Sequence, residues 1–210
     1  MSLVAVVDYG MGNLRSVAQA LSHVKQDGQE IRITTDPAVI DQADRVVLPG
    51  QGAMPDCMRA IRESGVLDAV LRAAASKPLF GVCVGEQMLL ERSHEGPADS
   101  LGLFEGEVIR FNPALTTARG LKVPHMGWNR VYRAKPHSLW DGIDDGAWFY
   151  FVHSYHAQPV NAADIAAQSD YGLRFTCAIA RDNIFATQFH PEKSAHDGLR
   201  LYANFLKWNP

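Results

Sequence analysis

Three stretches of this chain carry groups that could do covalent chemistry together. Gly81-Val82-Cys83-Val84-Gly85 sets a cysteine between glycines, where the apolar run Leu79–Val82 gives way to a helical pattern. A G-x-nucleophile-x-G pentapeptide between strand and helix is a nucleophile elbow. The tight turn strains the backbone at the nucleophile, and the glycines keep side chains out of the neighbouring elements. The sulfur then sits at a helix N-terminus, whose partial positive charge favours the reactive thiolate. A cysteine nucleophile needs a base, and the base needs an orienting group. His190 ends a strand and is followed by Pro191 and Glu192. Glu192 is close enough in sequence to set the imidazole tautomer, and Pro191 stiffens the loop between them. Pro49-Gly50-Gln51-Gly52 is a second Gly-rich turn after a strand. Its Gln51 or Gly52 N–H, with that of Val84, could form an oxyanion hole. It lacks the spacing of a phosphate loop.

Each feature has a plainer reading. An isolated cysteine is usually a buried core thiol, which is the expectation for Cys57 in a helix and Cys177 in a strand. An H-P-E tripeptide alone reads as a surface turn and gains weight only beside the elbow. His153 and His156, three apart in one extended strand, should point to opposite faces and make a poor ligand pair. No metal site is expected.

These residues need a scaffold. Leu3–Val7 reads as a short buried strand, and Ile31–Thr35, which is β-branched, Val46–Leu48 and Leu79–Val82 read as three further strands. They alternate with helical patterns: one after Asn13, which could cap it, and one over about 55–76, interrupted near Gly65. Such alternation implies an α/β fold with a parallel sheet and helices on both faces. The second half changes character. Val108–Phe111, Asn129–Arg133, Trp148–His156, Phe175–Ala180 and Ile184–Phe189 read as strands with few helices between, which predicts an antiparallel extension. A closing helix runs from about Ala195 to Trp208. Cys83 and His190 both fall just past strand C-termini, where open α/β sheets place their sites. With no repeat or linker, residues 1–210 read as a single domain.

Bulk properties narrow the classes. The chain has 210 residues, 47% hydrophobic and 20% charged, with a formal net charge of −3. That composition excludes disorder and gives no electrostatic footprint for nucleic acid or an anionic membrane. There is no signal-peptide pattern at the N-terminus and no membrane-length apolar run. Three cysteines without a CxxC argue for reduced thiols. A cytoplasmic protein is expected.

Taken together, the elbow G-V-C-V-G-E-Q at Gly81–Gln87 and F-H-P-E at Phe189–Glu192 resemble the two main signatures of the class I (triad) glutamine amidotransferases. Within that family the glutaminase subunits of imidazole glycerol phosphate synthase, in histidine biosynthesis, look most alike. The supporting stretches are D-Y-G-M-G-N-L-R-S-V from Asp8, P-G-Q-G-A from Pro49, P-H-M-G-W-N from Pro124, Y-F-V-H-S-Y from Tyr150 and F-H-P-E-K-S from Phe189. The resemblance implies a flavodoxin-like domain that hydrolyses glutamine to glutamate and ammonia without a cofactor. Cys83 would form a thioester, His190 would serve as acid and base, and Glu192 would hold the imidazole. Gln87 and Glu95 match substrate-binding positions. The implied partner is a (β/α)₈-barrel cyclase subunit, joined as a heterodimer, that uses the ammonia and switches the glutaminase on. Asn13, His125, Trp128, Asn129, Tyr150 and Lys193 would face it, although Trp128 would also make a good core residue. Glycines on both sides of Gln51 make a flip of the Gly50–Gln51 peptide a sterically possible switch.

There are departures from the family pattern. Val84 and Glu86 replace the more usual leucine and methionine, and Gln51 and Met54 replace valine and phenylalanine. Glu86 places a negative charge in the first helical turn, which suits the dipole but would hold the thiol protonated if it faced the sulfur. Three rival readings remain: an amidotransferase serving another synthase, a non-catalytic regulatory module, and a generic cysteine hydrolase.

Overall fold

The computed structural model describes residues 2–96 and 98–210. Its strands are β1 (Ser2–Val7), β2 (Gln29–Thr34), β3 (Arg45–Gly50), β4 (Leu79–Cys83), β5 (Arg92–Ser93), β6 (Ala98–Asp99) and β7 (Gly106–Arg110), then β8 (His125–Arg133), β9 (Ala147–His153), β10 (Tyr155–Pro159), β11 (Ile165–Asp170), β12 (Arg174–Arg181) and β13 (Ile184–Thr187). The helices are α1 (Leu14–Val24), α2 (Pro37–Gln42), α3 (Met54–Glu63), α4 (Leu67–Ser76), α5 (Val84–Gln87), α6 (Pro113–Thr117) and α7 (Ala195–Lys207).

A nine-stranded sheet runs in the order β2-β1-β3-β4-β13-β12-β11-β8-β9. Its first five strands pair in parallel and the remaining four pairings are antiparallel. This is the expected α/β core with an antiparallel extension. Val4–Val7 and Val46–Leu48 are wholly buried, as parallel strands covered on both faces must be. From β1 the chain moves one way to β2, then back past β1 to β3. Right-handed crossovers therefore put α1 on one face and α2 on the other. The packing agrees, since α1 packs against α7 while α2 packs against α4. Gly65, at φ +78°, makes the turn between α3 and α4.

Three of the expected features are altered. The single strand expected over Trp148–His156 is two, broken at Ser154; β9 belongs to the large sheet and β10 to a separate four-stranded sheet, β10-β7-β5-β6. Asn13 occupies the cap position of α1 but makes no side-chain capping bond. The helix after the elbow is one turn long, because the Leu89 and Leu90 N–H groups bond back only three residues, to Glu86 and Gln87. Among the described residues no helix is long and apolar enough to cross a membrane.

Candidate active site

The end of β4 has the strained geometry an elbow requires. Cys83 sits at φ +56°, ψ −112°, a region that costs a non-glycine residue about 1–3 kcal/mol. The flanking glycines permit close approach. A Cβ on Gly85 would lie 2.0 Å from the Leu48 carbonyl oxygen, and one on Gly81 would lie 2.8 Å from the Ala186 Cβ. Gly50 is wedged in the same way, its Cβ position 2.5 Å from the Gly85 nitrogen. Its glycine is thus needed for contact with the elbow, so replacing it would disturb Cys83 as well as any peptide flip.

The turn after β3 is held from below. The Tyr9 hydroxyl donates to the Pro49 carbonyl at 2.9 Å, and the Cys57 thiol donates to the Gln51 carbonyl at 3.5 Å. Cys57 is buried, and burial pushes its thiol up to about 11, so it is a neutral donor here. Cys177 is buried as well, and burial pushes its thiol well up.

His190 follows β13, the parallel neighbour of β4. Its Nδ1 bonds the Glu192 Oε1 at 2.8 Å, and both side chains are almost wholly buried. The Tyr202 hydroxyl donates to the other carboxylate oxygen at 3.5 Å. Ser194 fastens this loop, its hydroxyl donating to the His190 carbonyl at 2.6 Å while accepting from the Tyr150 N–H at 3.0 Å. The His190 Nε2 is buried and makes no hydrogen bond of good geometry among the described residues. Burial alone would push the imidazole down. The neighbouring Cys83 sulfur and the Glu192 carboxylate outweigh it and raise His190 to about 10.

These groups open onto one cavity of about 280 Å³. Cys83, His190, Val84, Gln51 and Gly52 line it, as do Gln87 and Glu95; Glu192 stands behind His190. Glu95 is tied to its own fold, one carboxylate oxygen accepting from the Met54 N–H at the start of α3 at 2.9 Å. Lys193 also lines the cavity, and its ammonium lies 5.7 Å from the Tyr150 ring centroid.

Glu86 does not act as a dipole-facing charge. It is wholly buried, and neither carboxylate oxygen has a partner among the described residues. Burial, reinforced by nearby Cys83, pushes its carboxyl well above the usual range. The charged form expected behind the elbow is therefore disfavoured.

The expected partner-facing residues divide. Trp128 is 49% exposed and pairs across the β8–β9 ladder with Tyr150, ring centroids 6.2 Å apart. With exposed Lys193 they form one surface leading to the cavity. His125, by contrast, is only 2% exposed. Register puts it opposite His153, and Tyr171 stacks on it at 4.0 Å, so its ring cannot be offered to a partner. Asn129 is committed internally, donating to the Asp170 carbonyl at 2.9 Å and contacting the His125 Nε2 at 3.3 Å. Asn13 is half-buried beside Gly12, which packs on Pro49.

His153 and His156 both pack on Phe111, because the break at Ser154 re-aims the second. Their expected opposition across one strand does not hold. Among the described residues no cluster of histidine, cysteine and acids is arranged to hold a metal. Instead His153 joins His125 in a neutral chain. The Tyr155 carbonyl can only accept, so the His153 Nδ1 carries the proton it receives at 2.7 Å. The His153 Nε2 must then accept from the His125 Nδ1 at 2.9 Å, and the His125 Nε2 accepts from Asn129. Burial holds His153 well below its ordinary value and His125 down at about 4. A folded-state pKa below the unfolded value of 6.5 gives stability that is present above pH 6.5 and is lost as pH falls toward 4. His125 alone should account for about 3 kcal/mol across that window. Denaturant unfolding at pH 7 and pH 5 checks this, since the loss should begin above the range where ordinary carboxylates titrate. Equal stability at the two values rejects it.

Sequence reading missed two residues of the site. Tyr202 supports Glu192 from the buried face of α7. Gln188, wholly buried, donates to the Cys83 sulfur at 3.7 Å and accepts from Gln87 at 2.8 Å. Its available signal was an amide within the apolar run Ile184–Phe189.

The family model described as glutamine amidotransferase class-I matches residues 5–208. The chain is 58% identical over 213 residues to the imidazole glycerol phosphate synthase subunit HisH of Aromatoleum aromaticum, covering all of both chains. It is 59% identical to the subunit of that name from Dechloromonas aromatica, covering 99% of this chain and 97% of that one. Its fold is similar to a solved glutamine amidotransferase (TM-score 0.72, 21% identity, 97% of each chain) and to PurLQS from Thermotoga maritima (TM-score 0.72, 17% identity, 98% of each). An elbow cysteine and a carboxylate-bound histidine share one cavity, and both family model and relatives span nearly the whole chain, so this protein belongs to the class-I glutamine amidotransferases.

Proposed function

We propose that this chain is the glutaminase subunit of an imidazole glycerol phosphate synthase. It hydrolyses L-glutamine to glutamate and ammonia and passes the ammonia to a (β/α)₈-barrel cyclase subunit in a cytoplasmic heterodimer. The cyclase uses it to form imidazole glycerol phosphate and an aminoimidazole carboxamide ribotide. The observation that carries the reading is the shared cavity of Cys83 and His190 with Glu192 on the far side of the imidazole, in a chain whose full-length relatives bear that subunit's name.

The geometry supports the following chemistry. The Cys83 thiolate attacks the side-chain carbonyl carbon of glutamine, and the carbonyl electron pair moves onto oxygen. Backbone N–H groups of Val84 and of Gln51 or Gly52 receive that oxyanion; one such donor is worth about 10²–10³ in rate. The imidazolium of His190 gives its Nε2 proton to the departing nitrogen, so ammonia leaves and a thioester remains. His190 then takes a proton from water, the hydroxide adds to the thioester, and collapse releases glutamate and the thiolate. Glu192 keeps the imidazole oriented and its charged form favoured. Gln87 and the other carboxylate oxygen of Glu95 hold the amino-acid end of the substrate. No cofactor is needed.

The partner docks on Trp128, Tyr150 and Lys193, with Asn13 at the margin. An exposed tryptophan beside an active-site mouth suits a buried anchor at such an interface. Docking biases the Gln51 N–H toward the oxyanion, so the free subunit is slow and the ligand-bound complex fast. Ammonia release from glutamine, measured with and without a cyclase partner carrying its ligand, tests the assignment. Partner-dependent release supports it. Release driven only by another synthase points to that rival, and no release under any condition points to a regulatory module.

A further inference from the structure

Gln188 continues β13 into the site, its N–H bonded to the Cys177 carbonyl at 3.0 Å. A wholly buried primary amide is costly unless its donors and acceptor are met, and this one is met by active-site atoms. The Gln87 Nε2 lies 3.2 Å from the Tyr155 carbonyl oxygen and 2.8 Å from the Gln188 Oε1. The backbone carbonyl can only accept, so that end of Gln87 must be its NH₂ group. The facing atom of Gln188 must then be oxygen, which turns the Gln188 NH₂ toward the Cys83 sulfur at 3.7 Å. A backbone carbonyl thus fixes the polarity of two consecutive amides.

We propose that Gln188 is a thiolate-orienting residue: it aims an N–H donor at the Cys83 sulfur, with Gln87 and the Tyr155 carbonyl locking the donor in that direction. The proposal rests on Cys83 being the nucleophile. A donor at the sulfur favours the thiolate over the thiol and eases its departure when the thioester is hydrolysed. It also holds the sulfur in one place, which positions it for attack. Other groups near the sulfur are Glu86 from α5, His190 after β13, Tyr9 after β1 and Cys57 from α3. All of them stay in place in the variants below.

Gln188→Met and Gln188→Leu both remove the amide donor and acceptor at similar volume, without the hydroxyl that a buried carboxyl would turn toward the sulfur. The test is the rate of Cys83 alkylation by iodoacetamide against pH, followed by peptide mapping of the labelled thiol. Both variants should move the half-maximal rate up by about one pH unit, a tenfold loss of thiolate below the midpoint. With the partner present, kcat should fall more than KM rises. An unchanged midpoint in either folded variant, even with lowered thermal stability, reduces Gln188 to a packing residue and overturns the proposal. Should Cys83 in the parent protein react no faster than Cys57 and Cys177, the nucleophile assignment itself fails. The two failures are therefore distinguishable.

Discussion

Cys83→Ala is expected to remove ammonia release by at least about 10⁴-fold while leaving the fold and partner binding intact. Losing a nucleophile that works as a unit with its base leaves only binding and oxyanion stabilisation, and losses of that order or larger are usual. The fold should tolerate the change because Cys83 lines the cavity and the strain belongs to the backbone. That strain gives a second readout. Alanine still carries a Cβ at φ +56°, whereas glycine does not. Cys83→Gly should relieve about 1–3 kcal/mol of strain and lose about 0.4–1 kcal/mol through the freer unfolded chain. A net gain of about 1 kcal/mol raises the melting temperature of a chain this size by about 2–4 °C over Cys83→Ala. Both variants should be inactive, with glycine the more stable. A folded, partner-bound Cys83→Ala that still releases ammonia sinks the nucleophile. Cys83→Gly melting below Cys83→Ala refutes the strain.

The parallel half of the fold was legible because strands covered on both faces must be continuous apolar runs. Val4–Val7, Val46–Leu48 and Leu79–Val82 are such runs, and each lies within an observed strand. The antiparallel half was less so. Ile165–Asp170 has little β-branched or aromatic content, and it is a strand because β12 and β8 flank it. Helix α2 was missed although Asp36 and Pro37 mark its start; the Asp36 side chain caps the Ala38 N–H at 2.9 Å. Cys83, His190 and Glu192 stood out because the chemistry there demands an unusual local sequence. Gln188 did not, since its meaning depends on an amide 101 residues away. The burial of His125 likewise follows from strand register, and the burial of Glu86 from the packing around it. Local patterns identify groups that act alone, while groups that act through a distant partner need the fold.

His190→Ala is expected to cost about 10⁴-fold or more in kcat/KM, and Glu192→Gln only about 10²-fold, measured with the partner present. In the proposed mechanism histidine moves protons in both half-reactions, whereas Glu192 orients it and favours its charge. A glutamine could present its NH₂ to the His190 Nδ1, which would enforce the wrong tautomer and cost far more. Here the amide has a better choice. The Tyr202 hydroxyl faces the second carboxylate oxygen at 3.5 Å, and a hydroxyl can accept as well as donate. The variant amide can therefore give its NH₂ to Tyr202 and keep its oxygen on the Nδ1–H. Adding Tyr202→Phe removes that acceptor, so the double variant should lose more than the product of the single losses. The charge also matters for pH. Burial pulls His190 down, while Cys83 and then Glu192 raise it to about 10. A neutral glutamine removes part of that support, so the imidazolium proton leaves at lower pH. The alkaline limb of the pH–rate profile should move to lower pH in Glu192→Gln. Equal losses for His190→Ala and Glu192→Gln, or an alkaline limb that stays in place, would reject these roles.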